Sequence, residues 1–303
     1  MLSEPKKQRE EDMGKIIDFP CSYGNSSGVR PEVTEGLGLT FPDAYLHRET
    51  MVKLARSLKE KDNAVHCDLS FCHTLEAEAM GGDVNLGNDR QGPRCGGYVC
   101  SSVEQLLELP DIDFSKGRIA ETLEAARILC EQGEYPNMEL CGPFTIMANL
   151  IDLKYVFKAC RRQPEIMKEV YWKFGRQTLK FIKEAEAHGI RLISYADPTG
   201  ALNILGPKVL ESYTNEFTAD FIRQAVEETR EDTMILLCPK TTYALIGTDN
   251  AEFVEHQLPE KKMRYADACI SMVGQVKLSG QNCIKNVGFN ITNGIFMEVK
   301  LKG

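Results

Sequence analysis

The chain's chemistry-bearing residues gather where apolar runs end. In Met234-Ile235-Leu236-Leu237-Cys238-Pro239-Lys240-Thr241-Thr242, four apolar residues lead without a break to a thiol and stop at a proline. Such a run reads as a strand buried on both faces, as in a parallel sheet covered by helices. In those sheets the chemistry sits beyond the carboxyl ends of the strands. Cys238 is therefore a candidate metal ligand or nucleophile, with a small core residue as the plain alternative. Lys240 could bind an anionic substrate group or lower the pKa of a neighbouring thiol; otherwise it is a solvated lysine.

Other candidates fall at the ends of further strands. Residues 63–71 alternate, with Val65, Cys67, Leu69 and Phe71 on one face and His66, Asp68 and Ser70 on the other. Asp68 lines a cavity if its face points inward. Cys72 and His73 follow directly, and Asn149 lies beyond a later strand. Asp197 precedes Pro198, where it either opens a turn or, at a barrel strand end, orients a substrate. Tyr195 and Tyr243 are core or cavity wall. Cys283 follows a strand over 275–279. Glu255 and His256 are consecutive near the end of a strand over 252–258, so only one of them can face inward.

These residues need a scaffold, and the hydrophobic pattern supplies one. Eight strands are expected, at 15–22, 63–71, 138–141, 191–196, 234–238, 252–258, 275–279 and 295–301. Helices are expected between them, at 49–61, 74–80, 103–109, 118–132, from about 146, 155–160, 164–188, 207–229 and 261–273. Residues 23–43 and 89–97, rich in glycine, read as loops. Alternation of strand and helix with eight strands favours a (β/α)₈ TIM barrel over an open doubly wound sheet. With 303 residues, one barrel domain over 15–303 is the simplest division, after a charged arm over 1–14.

Composition narrows the function. A net charge of −8 gives the chain as a whole no attraction for nucleic acid or an anionic membrane. No apolar run approaches a spanning helix, and residues 1–13 lack the apolar core of a secretory signal. Eleven scattered cysteines in such a chain are expected as reduced thiols in the cytoplasm. No GxGxxG or Walker pattern opens a helix, which counts against nucleotide binding.

Four landmarks resemble one known family. They are Glu76-Ala77-Glu78-Ala79-Met80-Gly81-Gly82, Gly142-Pro143-Phe144-Thr145, Ala196-Asp197-Pro198 followed by Leu205-Gly206-Pro207-Lys208, and the strand that ends in Cys238. Their order and spacing, from about residue 45 to 245, resemble the uroporphyrinogen decarboxylase superfamily. That superfamily includes true decarboxylases and corrinoid-dependent methyltransferases, and its fold is a (β/α)₈ barrel. The decarboxylases carry an arginine-rich N-terminal motif for substrate carboxylates. Here the matching stretch, Asp18-Phe19-Pro20-Cys21-Ser22-Tyr23-Gly24, has no arginine before Arg30. The methyltransferase branch binds zinc through H-x-C and a distant cysteine. Cys238 matches the motif's cysteine, whereas Leu236 stands at the histidine and Pro239 at the following glycine.

The resemblance thus implies a methyltransferase that works between a methylcorrinoid, carried by a separate protein, and a small acceptor, either a thiol or a pterin. A zinc site would draw on Cys238 and Cys283, with His256 or Glu255 as third ligand and one open position. Asp68, Asp197 and Lys240 are then the catalytic candidates, and His73, Asn149, Tyr195 and Tyr243 the substrate-binding ones. Two alternatives stay open: a decarboxylase of a small or uroporphyrinogen-like acid, using Asp68 or Asp197, and a non-catalytic binding protein on the same barrel.

Overall fold

The apolar runs become strands that lie side by side. In the computed structural model, which describes residues 16–21 and 29–303, one sheet contains β1 (Cys67–Leu69), β2 (Pro136–Cys141), β3 (Leu192–Ala196), β4 (Met234–Leu237), β5 (Ala251–Gln257), β6 (Leu278–Ser279) and β7 (Ile295–Leu301). Their order across the sheet is β1-β2-β3-β4-β6-β7-β5. From β1 to β6 every neighbouring pair is parallel. Strands β2, β3 and β4 are buried along their whole length; β4 is apolar throughout, while β2 carries Asn137 and Glu139 and β3 carries Ser194.

The helices between these strands cover the sheet with apolar stripes. The longest, Pro164–Ala187, buries Met167, Val170, Phe174, Phe181 and Ile182. Each large apolar side chain of that kind contributes roughly 1.5–3 kcal/mol through removal from water. The expected helix over 207–229 is in fact three pieces. Leu202–Tyr213 contains Gly206 at φ 71° before Pro207, a π turn spans Thr214–Thr218, and Ala219–Glu228 follows. The expected glycine-rich loop over 89–97 holds a strand, Arg94–Gly97, that pairs with Asp83–Asn85 as a hairpin.

The parallel β1–β6 core follows the strand–helix–strand rule of a (β/α)₈ barrel, and the last part of the chain departs from it. Strand β7 runs antiparallel to both β6 and β5. The cause is the connection from Ser279 to Ile295, which has no crossover helix; a parallel return needs one. The strand expected over 15–22 is not formed by residues 16–21, and residues 22–28 lie outside the described part. Instead this segment is a strap held on the helix Pro239–Gly247. Asp18 pairs with Lys240, and Phe19 stacks on Tyr243 at 5.7 Å. Ile16 lies so close to Gly247 that a Cβ there would come within 2.5 Å of its Cα. The expected arm over 1–14 lies outside the described residues.

Candidate active site

Strand register sets the inner face. Asp68 lies opposite Asn137, Glu139 opposite Ser194, Ser194 opposite Leu236, and Leu236 opposite Ser279. Alternation along each strand carries this face on to Cys238, two residues beyond Leu236. Glu139, Ser194, Leu236 and Cys238 line one cavity together with Cys21, His73, Cys283 and Lys285. Its volume is about 50 Å³, room for a few water-sized groups. Gly280 brings the last loop in: a Cβ there would lie 2.1 Å from Thr242 Oγ1 and 2.9 Å from Leu237 Cβ. Only glycine lets the backbone carrying Cys283 lie directly on the end of β4.

A buried ion-pair network forms the polar wall of the cavity. Lys285 Nζ donates to Glu139 Oε2 at 2.5 Å, and His73 Nε2 stands 3.1 Å from the same oxygen. Burial alone would raise the Glu139 pKa. Lys285 and then His73 outweigh it and hold the carboxyl well below the usual carboxylate range. Beside it, Asn137 Nδ2 donates to Asp68 Oδ1 at 2.7 Å, and His66 Nε2 stands 3.3 Å from that oxygen. Burial opposes ionisation of Asp68 as well, but His66 dominates and lowers its pKa. Burial pushes the Cys238 thiol up to about 12 and the Cys283 thiol up to about 11. Both are therefore protonated near neutral pH unless a ligand or a base takes the proton.

The other sequence candidates sort into those that support this cavity and those that lie elsewhere. Asn149 donates to the backbone carbonyls of His73 and Thr145, at 2.9 and 2.8 Å, and so fixes the loop that presents the imidazole. Cys72, at the same strand end, is buried and accepts from Arg118 Nη1 at 3.1 Å. Asp197 is spent on structure. Its Oδ1 accepts from the Thr145 N–H and hydroxyl, and its Oδ2 from the Tyr213 hydroxyl and the Phe144 N–H. It thus satisfies the first amides of the helix Pro143–Met147. Desolvation raises its pKa. Gly142 permits that packing, since a Cβ there would lie 2.5 Å from Asp197 Cβ.

The remaining candidates have partners of their own. Lys240 is tied to Asp18 at 2.8 Å and Asn203 at 3.1 Å, which anchors the strap. The Tyr195 ring packs on Phe221 at 5.1 Å, and the residue also lines the cavity beside its neighbour Ser194. Tyr243 is the strap's stacking partner. His256 does not join the thiols: its Nε2 stands 2.6 Å from Glu298 Oε2, across the antiparallel pair β5–β7, and Glu255 is exposed. Sequence reasoning passed over Glu139 and Lys285. The signal was there for Glu139, a charge inside the strand 138–141 between Met138 and Leu140, which a buried strand tolerates only with a partner. Lys285 gave none, because only folding brings it to Glu139.

The match to known proteins agrees with this architecture. Residues 18–254 match the uroporphyrinogen decarboxylase (URO-D) family, more than half of the chain, and the chain belongs to that family. Within it, the chain is similar to the methylcobamide:CoM methyltransferase MtaA of Methanosarcina barkeri, 24% identical over 208 residues, covering 66% of this chain and 60% of that protein. It is also similar to the methylcobamide:CoM methyltransferase MtbA of Methanosarcina acetivorans, 25% identical over 217 residues, covering 71% and 63%. A solved methyltransferase from Methanosarcina mazei shares the fold, with a TM-score of 0.61 at 20% identity over 77% of this chain and 69% of that one. The matched part spans 60–65% of the length of these curated relatives.

Zinc, which the resemblance implies, can be tested against the residues present. Three cysteines, Cys21, Cys238 and Cys283, line the cavity, but Leu236, apolar and 2% exposed, lines it where the motif has histidine. Glu139 and His73 are already engaged with each other, and Lys285 adds a positive charge beside them. Among the described residues no three His, Cys, Asp or Glu side chains are placed to hold a metal ion. The residues do not fit that zinc centre. No helix among the described residues is long and apolar enough to cross a membrane.

Proposed function

We propose that the protein is a methyltransferase that moves a methyl group between a methylcorrinoid on a separate carrier protein and a small acceptor, a thiol before a pterin. The observation that carries this reading is the shared cavity: Cys238 and Cys283, 45 positions apart in sequence by their numbers, open onto one mostly apolar space, with the Glu139–Lys285 pair in its wall, at the carboxyl ends of β4 and β6. Membership of a family with methylcobamide:CoM methyltransferases among the similar chains supports it. The reading takes residues 15–303 as one domain acting in the cytoplasm.

In this direction the methyl leaves cobalt as a formal CH₃⁺ and bonds to the acceptor. The electron pair of the broken bond stays on cobalt, and the acceptor's proton must depart. Proton removal is the demanding part, because the cavity's own thiols show how strongly burial opposes a thiolate there. His73, oriented by Glu139 and by Asn149, is the group placed to accept that proton. No step is assigned to a metal. A tetrapyrrole with many carboxylates is disfavoured as substrate, since the cavity is small and its described lining holds one lysine, Lys285, and no arginine.

The test is transfer from methylcobalamin to a panel of small thiols, followed by the change in the cobalamin spectrum. His73→Gln should bring the rate near background while unfolding at the wild-type temperature, and Cys238→Ser and Cys283→Ser, which alter the wall of the same cavity, should each lower it. Full activity in all three variants would sink the reading.

A further inference from the structure

The strap of residues 16–21 brings a thiol to the cavity. Its contacts follow the helix Pro239–Gly247 back toward the helix start: Ile16 lies against Gly247, Phe19 stacks on Tyr243, and Asp18 pairs with Lys240. Pro20 and Cys21 come next, and Cys21 lines the cavity together with Cys238, the N-cap of that same helix. The lengths agree. An extended strap from Ile16 to Cys21 spans about 16 Å, and the helix from Gly247 back to Cys238 spans about 13 Å. The Cys238 backbone is fixed, since its N–H donates to the Tyr195 carbonyl and its carbonyl accepts from the Thr241 N–H, both at 2.8 Å. Cys21, by contrast, is exposed. An exposed thiol on a strap anchored by side chains thus meets a fixed thiol across about 50 Å³.

We propose that Cys21 and Cys238 are a redox pair, which a small-molecule disulfide converts into a protein disulfide that staples the strap across the cavity. Cys21 attacks one sulfur of the small disulfide; that S–S bond breaks, and one small thiolate leaves and takes up the Cys21 proton. Cys238 then attacks the Cys21 sulfur of the mixed disulfide, and the second small thiolate leaves and takes up the Cys238 proton. Two protein thiols are oxidised and one small disulfide is reduced to two thiols, a two-electron exchange. Cys21 takes the first step because it is exposed, whereas burial keeps the Cys238 and Cys283 thiols protonated. The second step is intramolecular, so a small thiolate fraction at Cys238 suffices. The Lys240 N–H at the helix start favours that thiolate. Cys238 is the partner rather than Cys283. Cys21 is among the groups that bear on the Cys238 thiol, while the charged groups bearing on Cys283 are Lys285, Glu139 and Asp68. Oxidation thereby takes one thiol out of the cavity wall and closes its strap side, and reduction reverses both.

The pairing stands apart from the methyltransferase reading, because it is read by mass rather than by turnover. The full chain, reduced and then freed of reductant with EDTA present, is incubated with mixtures of reduced and oxidised glutathione. It is quenched with N-ethylmaleimide and mapped as peptides without reduction. The expected result is one linked peptide pair joining Cys21 to Cys238, with Cys283 still alkylated, and full return of both thiols after dithiothreitol. An Asp18→Ala/Phe19→Ala double variant loosens the strap without touching either cysteine. It should form the link about tenfold more slowly, as the effective concentration of Cys21 at Cys238 falls. A glutathione adduct on Cys21 that never proceeds to a link, a link that contains Cys283, or an equal rate in the double variant would each overturn the proposal. The wild-type map decides even if that variant unfolds. A link that forms in a protein without methyl transfer would remove the transferase reading and leave this one standing.

Discussion

Glu139 keeps its charge inside the sheet because the Lys285 ammonium and the His73 imidazole both stand on one of its oxygens. A folded pKa held below the ordinary 4.5 has a definite consequence for acid stability. The unfolded chain binds a proton near that value while the folded chain does not. This group's contribution is therefore complete above about pH 4.5 and is lost as pH falls through the folded pKa. Urea unfolding at a series of pH values should show wild-type stability falling on the acid side, with a shallower fall in Glu139→Gln. Parallel curves for the two proteins would mean that the ion pair adds nothing. Lys285→Met alone is a different case, since it strands a buried carboxylate and should cost about 3–5 kcal/mol. At this scale the alternation along one strand put Asp68 on a face with His66 and Ser70, and the structure sets that aspartate opposite Asn137. It was not legible for Lys285, whose role depends on a contact 146 positions away.

At the scale of elements, Gly280 is the piece that seats the loop of Cys283. Its Cα sits where any added carbon meets Leu237 and Thr242. Gly280→Ala should destabilise by about 1–3 kcal/mol through overpacking, read as a lower midpoint in thermal unfolding. It should also expose the Cys283 thiol, measured as faster alkylation than in wild type. Unaltered alkylation would show that the loop is held by other contacts. The strap of residues 16–21 is the second such element. The sequence read it as a strand from its apolar residues, but Pro20 lacks the N–H that a ladder needs, and what holds it are the side chains of Asp18 and Phe19. Lys240, expected at the chemistry, holds that strap because its long side chain reaches Asp18 rather than the inner face.

For the whole molecule, the parallel run from β1 to β6 was readable from the alternation of strands with helices and from the unbroken apolar run of β4. The turn to antiparallel pairing at β7 was not. Strand direction leaves no mark on composition, and only the helix-free connection from Ser279 to Ile295 hints at it. His256 shows the cost of that ambiguity, placed among metal ligands by a ring of parallel strands and found instead facing Glu298. His256→Ala should accordingly leave methyl transfer at the wild-type level. It should lower stability by about 1 kcal/mol or less, as for a partly exposed ion pair, and loss of activity in this variant would return the residue to the site.

The cavity's walls come from opposite extremes of the numbering, Cys21 on one side and Cys283 with Lys285 on the other. A ribosome-bound nascent chain halted after residue 250 would already hold β1 to β4 and the strap's docking helix. It would still lack Cys283 and the ammonium. The enclosure thus waits for residues 283–285, and a growing chain carries Cys238 before the charged wall that faces it.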